Sequence, residues 1–268
     1  MNQFQKMSPK DFRQLVRTGQ YSEYTTGCCS GFVQANLVIL PKEFADDFRK
    51  FAERNPKPCP ILEVSDPGDP YTKLIADHAC ITTDIPKYRV FRYGRQVDEC
   101  TDISAYWQDD FVWFLTGCSY TFESALIKSG IEIRNITDGH MTSTYKTNIP
   151  CAPGGRFSGN MVVTMRPVPA EQVDLAYEVT GKFPHVHGAP IYHGDPAKIG
   201  IDLSKPDWGG ITRIETGEVP LFWACGVTPQ VALENAKLPI VITHTPGAMF
   251  VSDIPDADIE ETVFGYKG

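Results

Sequence analysis

The eight cysteines, at 28, 29, 59, 80, 100, 118, 151 and 225, form no CxxC pair, which argues against zinc-ribbon and thioredoxin-type motifs. Basic runs are missing as well. Lys and Arg total 25 against 33 Asp and Glu, a net charge of −8, so neither nucleic acid nor a membrane surface is expected as a partner. A small anionic ligand stays compatible, because it needs only one or two local cations. No apolar stretch approaches the roughly 18 residues of a membrane span. The opening MNQFQKMSPK holds no apolar run that would serve as a signal peptide. A cytoplasmic location with reduced thiols is the expectation. GxGxxG, GxxxxGKS/T and GxSxG do not occur, which disfavours dinucleotide, P-loop and serine-triad chemistry.

What is present is ordinary globular composition, 42% hydrophobic and 22% charged, with 21 Pro and 22 Gly too scattered to mark a linker. Ser8-Pro9 is an N-cap followed by an N1 proline, and Gly19 closes the helix they open. After Pro41, Phe44, Phe48 and Phe51 recur at i, i+4 and i+7, a core-facing helical stripe that Asn55-Pro56 ends. Strands are predicted over 61–64, 88–93, 131–136, 161–166, 221–224 and 239–243. Helices are predicted over 119–129, 170–180 and 229–237. This alternation indicates an α/β or α+β fold.

One internal echo pairs FVWFLTGCSYTF (111–122) with PLFWACGVTPQV (220–231): Gly117 falls on Gly226 and Ser119 on Thr228. Each reads as an apolar segment turning through glycine into a helix, with Ser119 and Thr228 as N-caps. Helix N-termini favour oxyanions, so Gly117, Ser119, Cys225, Gly226 and Thr228 are candidate substrate-binding positions. Cys118 and Cys225 sit at the turns, where a thiol tends toward thiolate, and Glu123 lies in the first helical turn. Arg166, at the end of MVVTMRP, is the favoured cation for a substrate carboxylate, ahead of Arg92, Arg134, Arg156 and Lys146.

FPHVHGAPIYHGDPAKIGI (183–201) gathers His185, His187, His193 and Asp195 on a Gly/Pro-rich loop. One histidine as the acid–base group is the first functional reading. A metal site formed with Asp195 or His244 is the second, because HxH puts alternate side chains on one face of an extended segment. Plain loop-building residues are the third.

The same segment, with QANL (34–37), NPKPCPILEV (55–64), TDIPKYRVFRYG (83–94), FLTGCSYTFESAL (114–126), MVVTMRP (161–167), GEVPLFWACGVTPQ (217–230) and ITHTPGAMFVSD (242–253), resembles the D-glutamate cyclase family. The likeness runs in order along nearly the whole chain. It implies one family unit over 1–268, an α/β fold with a mixed-sheet three-layer unit and a smaller two-layer α+β unit, the latter within about 115–205. It also implies a hydro-lyase of amino acid metabolism that needs no cofactor and no metal. The characterised branch closes D-glutamate to 5-oxo-D-proline and water. The expected partner is a small carboxylate, and a homo-oligomer is compatible. On this reading His185, His187, His193, Cys118 and Glu123 are candidate catalytic groups. Arg166, Gly117, Ser119, Cys225, Gly226, Thr228 and His244 are candidate substrate contacts. A metal-dependent hydratase or hydrolase and a non-catalytic carboxylate binder are the alternatives.

Overall fold

A computed structural model describes residues 3–265. Ser8 caps helix α1 (Pro9–Arg17), its hydroxyl accepting from the Asp11 amide, and Gly19 follows the helix in the left-handed region, as the sequence predicts. Strand β1 (Phe32–Pro41) comes next, then helix α2 (Ala45–Arg54) with Phe44, Phe48 and Phe51 all buried. Strands β2 (Ile61–Val64), β3 (Tyr88–Arg92), β4 (Arg95–Cys100) and β5 (Phe111–Gly117) lead into helix α3 (Tyr120–Lys128). A short helix α4 (Arg134–Thr137), strands β6 (Thr144–Pro150) and β7 (Asn160–Pro169), helix α5 (Val173–Gly181) and strand β8 (Tyr192–His193) follow. Strand β9 (Glu218–Ala224), helix α6 (Thr228–Ala236), strands β10 (Val241–His244) and β11 (Phe250–Pro255) and helix α7 (Ile259–Phe264) complete the order.

Two sheets result. The larger runs β2-β5-β1-β10-β3-β4, with β11 beside the first half of β1, and the smaller runs β6-β7-β9-β8. Every pairing is antiparallel, which corrects the expected mixed sheet; the fold is α/β in that helices alternate with strands. Central strand β1 is buried on both faces. Val33, Ala35, Leu37 and Ile39 enter one core layer with Trp113, Leu115 and Ile242. Val38 and Leu40 enter another with α2 and with Ala232 and Leu233 of α6. Helices α3 and α5 cover one face of the smaller sheet, through Phe122, Leu126 and Ala176 against Val168 and Trp223.

The helices are exchanged between the sheets. Strand β5 lies in the larger sheet, yet the helix it leads into, α3, packs on the smaller one. Strand β9 lies in the smaller sheet, and its helix α6 packs on the larger. The echo seen in the sequence is this reciprocal brace.

One expected strand is not formed. Residues 131–136 alternate like a strand, but Ile131 and Ile133 plug the α3–α5 layer, and Arg134 opens α4, held by Glu132 and Glu218. That ion-pair cluster also removes Arg134 as a free substrate cation.

A second clasp joins the sheets where the β6–β7 connection folds over α2. Asn55 donates to the Ala152 carbonyl and accepts from its amide, while Phe157 meets Phe48 edge-on at 5.5 Å between centroids. Gly154 lies so close to α2 that a Cβ there would sit 2.3 Å from the Phe51 backbone nitrogen. Backbone cannot yield as a side-chain tip can. Gly154→Ala is therefore expected to cost about 2–4 kcal/mol and lower the thermal midpoint by several degrees. An unchanged melt by circular dichroism would show that the clasp is not tight.

Candidate functional site

The two glycine turns meet at Asn36, in the centre of β1. Its Nδ2 donates to the Gly117 carbonyl at 2.6 Å, and a Cβ on Gly226 would stand 1.9 Å from that same nitrogen. Gly226 is glycine because Asn36 occupies the space a side chain would take. Asn36, Cys118, Ser119, Thr142, Thr164, Cys225 and His244 then line a chamber of about 30 Å³, closed by Met141, Gly247 and Met249. Its volume holds about two waters. Above it opens a cleft of about 830 Å³ that shares Met141 with the chamber.

Arg166 stands directly behind this chamber, 1% exposed, between the Phe122 and Trp223 rings. Glu123 accepts from its Nε and one terminal nitrogen, the latter at 2.5 Å. The remaining donations go to Thr164 Oγ1 at 3.0 Å and Ser119 Oγ at 3.1 Å. Arg166 therefore does not touch the chamber, which corrects its expected role as a direct carboxylate anchor. Its charge reaches the chamber only through two hydroxyls. Burial pushes the Glu123 carboxyl up, and Arg166 opposes that shift. Among the described residues no Asp, Glu, Lys or Arg side chain lines chamber or cleft.

The predicted caps and thiolates also need correction. Ser119 occupies the N-cap position of α3 but turns its side chain to Arg166. Thr228 is already inside α6, accepting from the Val162 amide and donating to the Cys225 carbonyl. Cys118 and Cys225 do face helix starts, receiving the Tyr120 and Val227 amides. Burial nevertheless dominates, pushing the Cys225 thiol up to about 11 and Cys118 further. Both are neutral thiols at physiological pH. All eight cysteines are free.

The loop histidines face three different surroundings. His185 Nδ1 pairs with Glu260, and its ring stacks on Phe264 beside a separate groove at Cys59 and Pro60. His193 is exposed and meets the Tyr177 hydroxyl at 2.9 Å. His187 is fully buried in the left-handed region (φ 82°), its Nδ1 donating to the Lys57 carbonyl at 2.7 Å. Residues 184–186 are a 3-10 turn rather than extended, so the HxH pair cannot share one face. Among the described residues no three His, Cys, Asp or Glu side chains gather as a metal site. The metal-dependent alternative has lost its ligand cluster.

His244 is the histidine that reaches the chamber. It is 1% exposed, and its Nδ1 accepts from the Leu37 amide at 3.1 Å, nearer than the Leu37 carbonyl at 3.4 Å. That contact puts the ring proton on Nε2, which has no protein partner. Burial lowers the ring to about 4, so it is neutral and acts as a donor.

Comparison with known proteins agrees with this architecture's sequence signature. The D-glutamate cyclase profile matches residues 112–253, which include both glycine turns, Arg166 and His244. The chain belongs to the D-glutamate cyclase family. A Bacillus subtilis protein named "Putative hydro-lyase YcsI" is 53% identical over 254 residues, covering 94% of this chain and 99% of its own. An Agrobacterium fabrum relative bearing the same hydro-lyase name is 54% identical over 235 residues, 87% of each chain. A solved nitrogen repressor-like protein from Methanococcus jannaschii aligns over 90% of this chain and 97% of its own. Its 11% identity and TM-score of 0.38 carry no argument. Membership makes the chain an enzyme of the lyase class rather than a mere carboxylate binder. Among the described residues no helix is long and apolar enough to cross a membrane.

In this family member the chamber-lining Asn36, Thr142 and Thr164 escape sequence reasoning. Asn36 sits in the QANL segment and Thr164 in MVVTMRP, but neither has a spacing that marks chemistry. Their role appears only when β1, β7 and the segment just before β6 converge.

Two buried groups give opposite pH signatures. His187 is lowered to about 4 from 6.5 by burial, so between those values the unfolded chain binds a proton the folded chain refuses. Stability falls as pH drops through that window, by roughly 3 kcal/mol in all. Asp256, buried beside Ser124, is raised to about 7 from 3.8, so its contribution is lost as pH rises through 3.8–7. The gain of His187→Gln over wild type should therefore grow from pH 6.5 to 4, and that of Asp256→Asn should grow from pH 4 to 7. Calorimetry across pH reads both, and parallel slopes would contradict the assignment.

Proposed function

We propose that the Asn36–Ser119–Thr164–His244 chamber is the reaction site of a hydro-lyase acting on a small amino or carboxylic acid. The family's reaction, closure of D-glutamate to 5-oxo-D-proline and water, is the specific candidate. His244 carries the reading: a neutral, fully buried imidazole whose tautomer is set by the Leu37 amide and whose Nε2 lacks any protein partner. A buried donor without a protein partner that borders a cavity is available to a ligand held there.

In ring closure the α-amine attacks the side-chain carboxyl. A C–N bond forms, a C–O bond breaks, and the hydroxyl departs as water with a proton from the amine. Negative charge collects on the carboxyl oxygen along the way, so preset donors accelerate the step. His244 Nε2–H is one such donor. Ser119 and Thr164 are two more, because each hydroxyl oxygen accepts from Arg166 and keeps its own proton for the chamber. Arg166 and Glu123 thus act as positioning residues. The two thiols, neutral and apolar, fill space beside the reacting carbon. The acid–base role expected of His185, His187 and His193 is not assigned to them here, since none of the three lines the chamber. Glutamate exceeds two waters in size, so entry requires Met141 and the 245–249 turn to move aside.

Incubation with D- and L-glutamate and both 5-oxoproline enantiomers, followed by chiral chromatography, is the test. Wild type is expected to interconvert one pair. His244→Gln should lower kcat by about 10²–10³-fold with an unchanged fold. Turnover by His244→Gln at the wild-type rate would remove His244 from the site, and inertness toward all four compounds would remove the D-glutamate reaction.

A further inference from the structure

The outer cleft and the chamber adjoin, and among the described residues only Met141 borders both. Its neighbour across the partition fixes where the side chain lies. A Cβ built on Gly247 would stand 2.8 Å from the Met141 sulfur and 2.8 Å from Tyr24 Cδ1. The thioether and the tyrosine ring therefore rest together on the Gly247 backbone. Gly247 borders the chamber and Tyr24 borders the cleft, so the thioether occupies the partition itself. Two constraints keep 247 a glycine: its φ of 89°, and the side chains that use the space.

The backbones on either side of the partition are held. The Met141 carbonyl accepts from the Gly210 amide at 3.2 Å. The Thr142 carbonyl lies so close to Gly209 that a Cβ there would stand 2.4 Å from its oxygen. Opposite, the Gly247 carbonyl accepts from the Thr25 amide at 2.8 Å, and the Met249 amide donates to Thr25 Oγ1 at 3.1 Å. Thr25 is itself fully buried. Of the parts that must yield to a glutamate-sized ligand, the thioether is the softest. Methionine is unbranched and rotates about three bonds, and no hydrogen bond breaks when it does. The cleft, at about 830 Å³, gives it room to swing into.

We propose that Met141 is the gate of the chamber and the residue that sets ligand size. Its thioether, closed against Gly247, swings into the cleft to let a ligand pass. A straight-chain acid slips by, and one branched along the chain is stopped. That this gate selects substrates rests on the chamber being the reaction site. The physical barrier does not.

The chamber's two thiols report on the gate without any turnover. Cys118 and Cys225 line the chamber, whereas Cys59 and Cys151 lie in the core layer around α2. Methyl and benzyl methanethiosulfonate are applied to wild type and to Met141→Ala, and peptide mass mapping gives the rate at each cysteine. The variant is expected to react with the benzyl reagent at least about tenfold faster at Cys118 and Cys225, the effect of removing part of one packed side chain from the opening cost. The gain with the methyl reagent should be smaller, and Cys59 and Cys151 should not change. Met141→Leu, of similar bulk, should label like wild type. Unchanged rates at the chamber thiols, or rates that rise together at all four cysteines, overturn the gate. Turnover is read separately. Met141→Ala should narrow the preference for glutamate over 4-methylglutamate, and an unchanged preference overturns selection by size. Faster labelling in a protein that turns over neither acid strikes the reaction site and leaves the gate standing.

Discussion

Two strand-to-helix turns pass each other beside a single asparagine, and the rest of the molecule is arranged around that crossing. Strand β5 hands its helix to the smaller sheet and β9 hands its helix to the larger, so each sheet covers part of one face with a helix the other supplies. At the crossing the backbones approach too closely for side chains. Asn36 fills the gap, donating to the Gly117 carbonyl while Gly226 leaves room for it. An apolar residue at 36 would strand that carbonyl, and any Cβ at 226 would push the turns apart. Rigidity here is a requirement of the topology. The chamber's inner wall, at Asn36, Cys118 and Cys225, inherits it.

Rigidity explains how the chamber can be built from neutral groups. A free cation in a small enclosed cavity would demand a counter-ion or water. Arg166 meets that demand inside the wall, with Glu123 as its partner and two aromatic rings as its bed. Its field then arrives through Ser119 and Thr164, whose hydroxyls it orients. Such a buried pair adds little net stability, and breaking it by removing one partner costs about 3–5 kcal/mol. Its value lies in orientation. Cysteines at both turns fit the same pattern, since burial holds the thiols neutral despite the helix amides that point at them.

Depth separates two kinds of histidine in this chain. His185 and His193 have partners at the surface or in a side groove, and they tie loops to α7 and α5. His187 and His244 are fully buried, and backbone engages the Nδ1 of each. Only His244 borders empty space. The left-handed backbone of His187, a costly conformation for a β-carbon, instead locks the 183–188 turn against the 55–60 segment and the back of Gly117.

Local chemistry was enough to read much of this protein. Ser8-Pro9 and Gly19 delimit α1, the Phe44–Phe48–Phe51 spacing marks a buried helix face, and the repeated aromatic-then-glycine pattern announces both strand-to-helix turns. These signals are short-range and act through caps, φ angles and side-chain period, which any sequence displays. Family motifs along the chain further identify a lyase. Central strand β1 was not legible, because FVQANLVIL is buried on both faces and shows no clean alternation, with Gln34 and Asn36 interrupting its apolar run. Residues 131–136 alternate like a strand but find no neighbour to pair with. The site was legible only in its parts. Arg166 looks like a free anchor until Glu123, 43 residues earlier, is folded against it. His244 looks unremarkable until β1 delivers the Leu37 amide to its Nδ1, across 207 residues. Burial and pairing depend on what the tertiary fold brings near, and those two quantities decide which titratable group carries charge, which is neutral, and which has an atom left for a ligand.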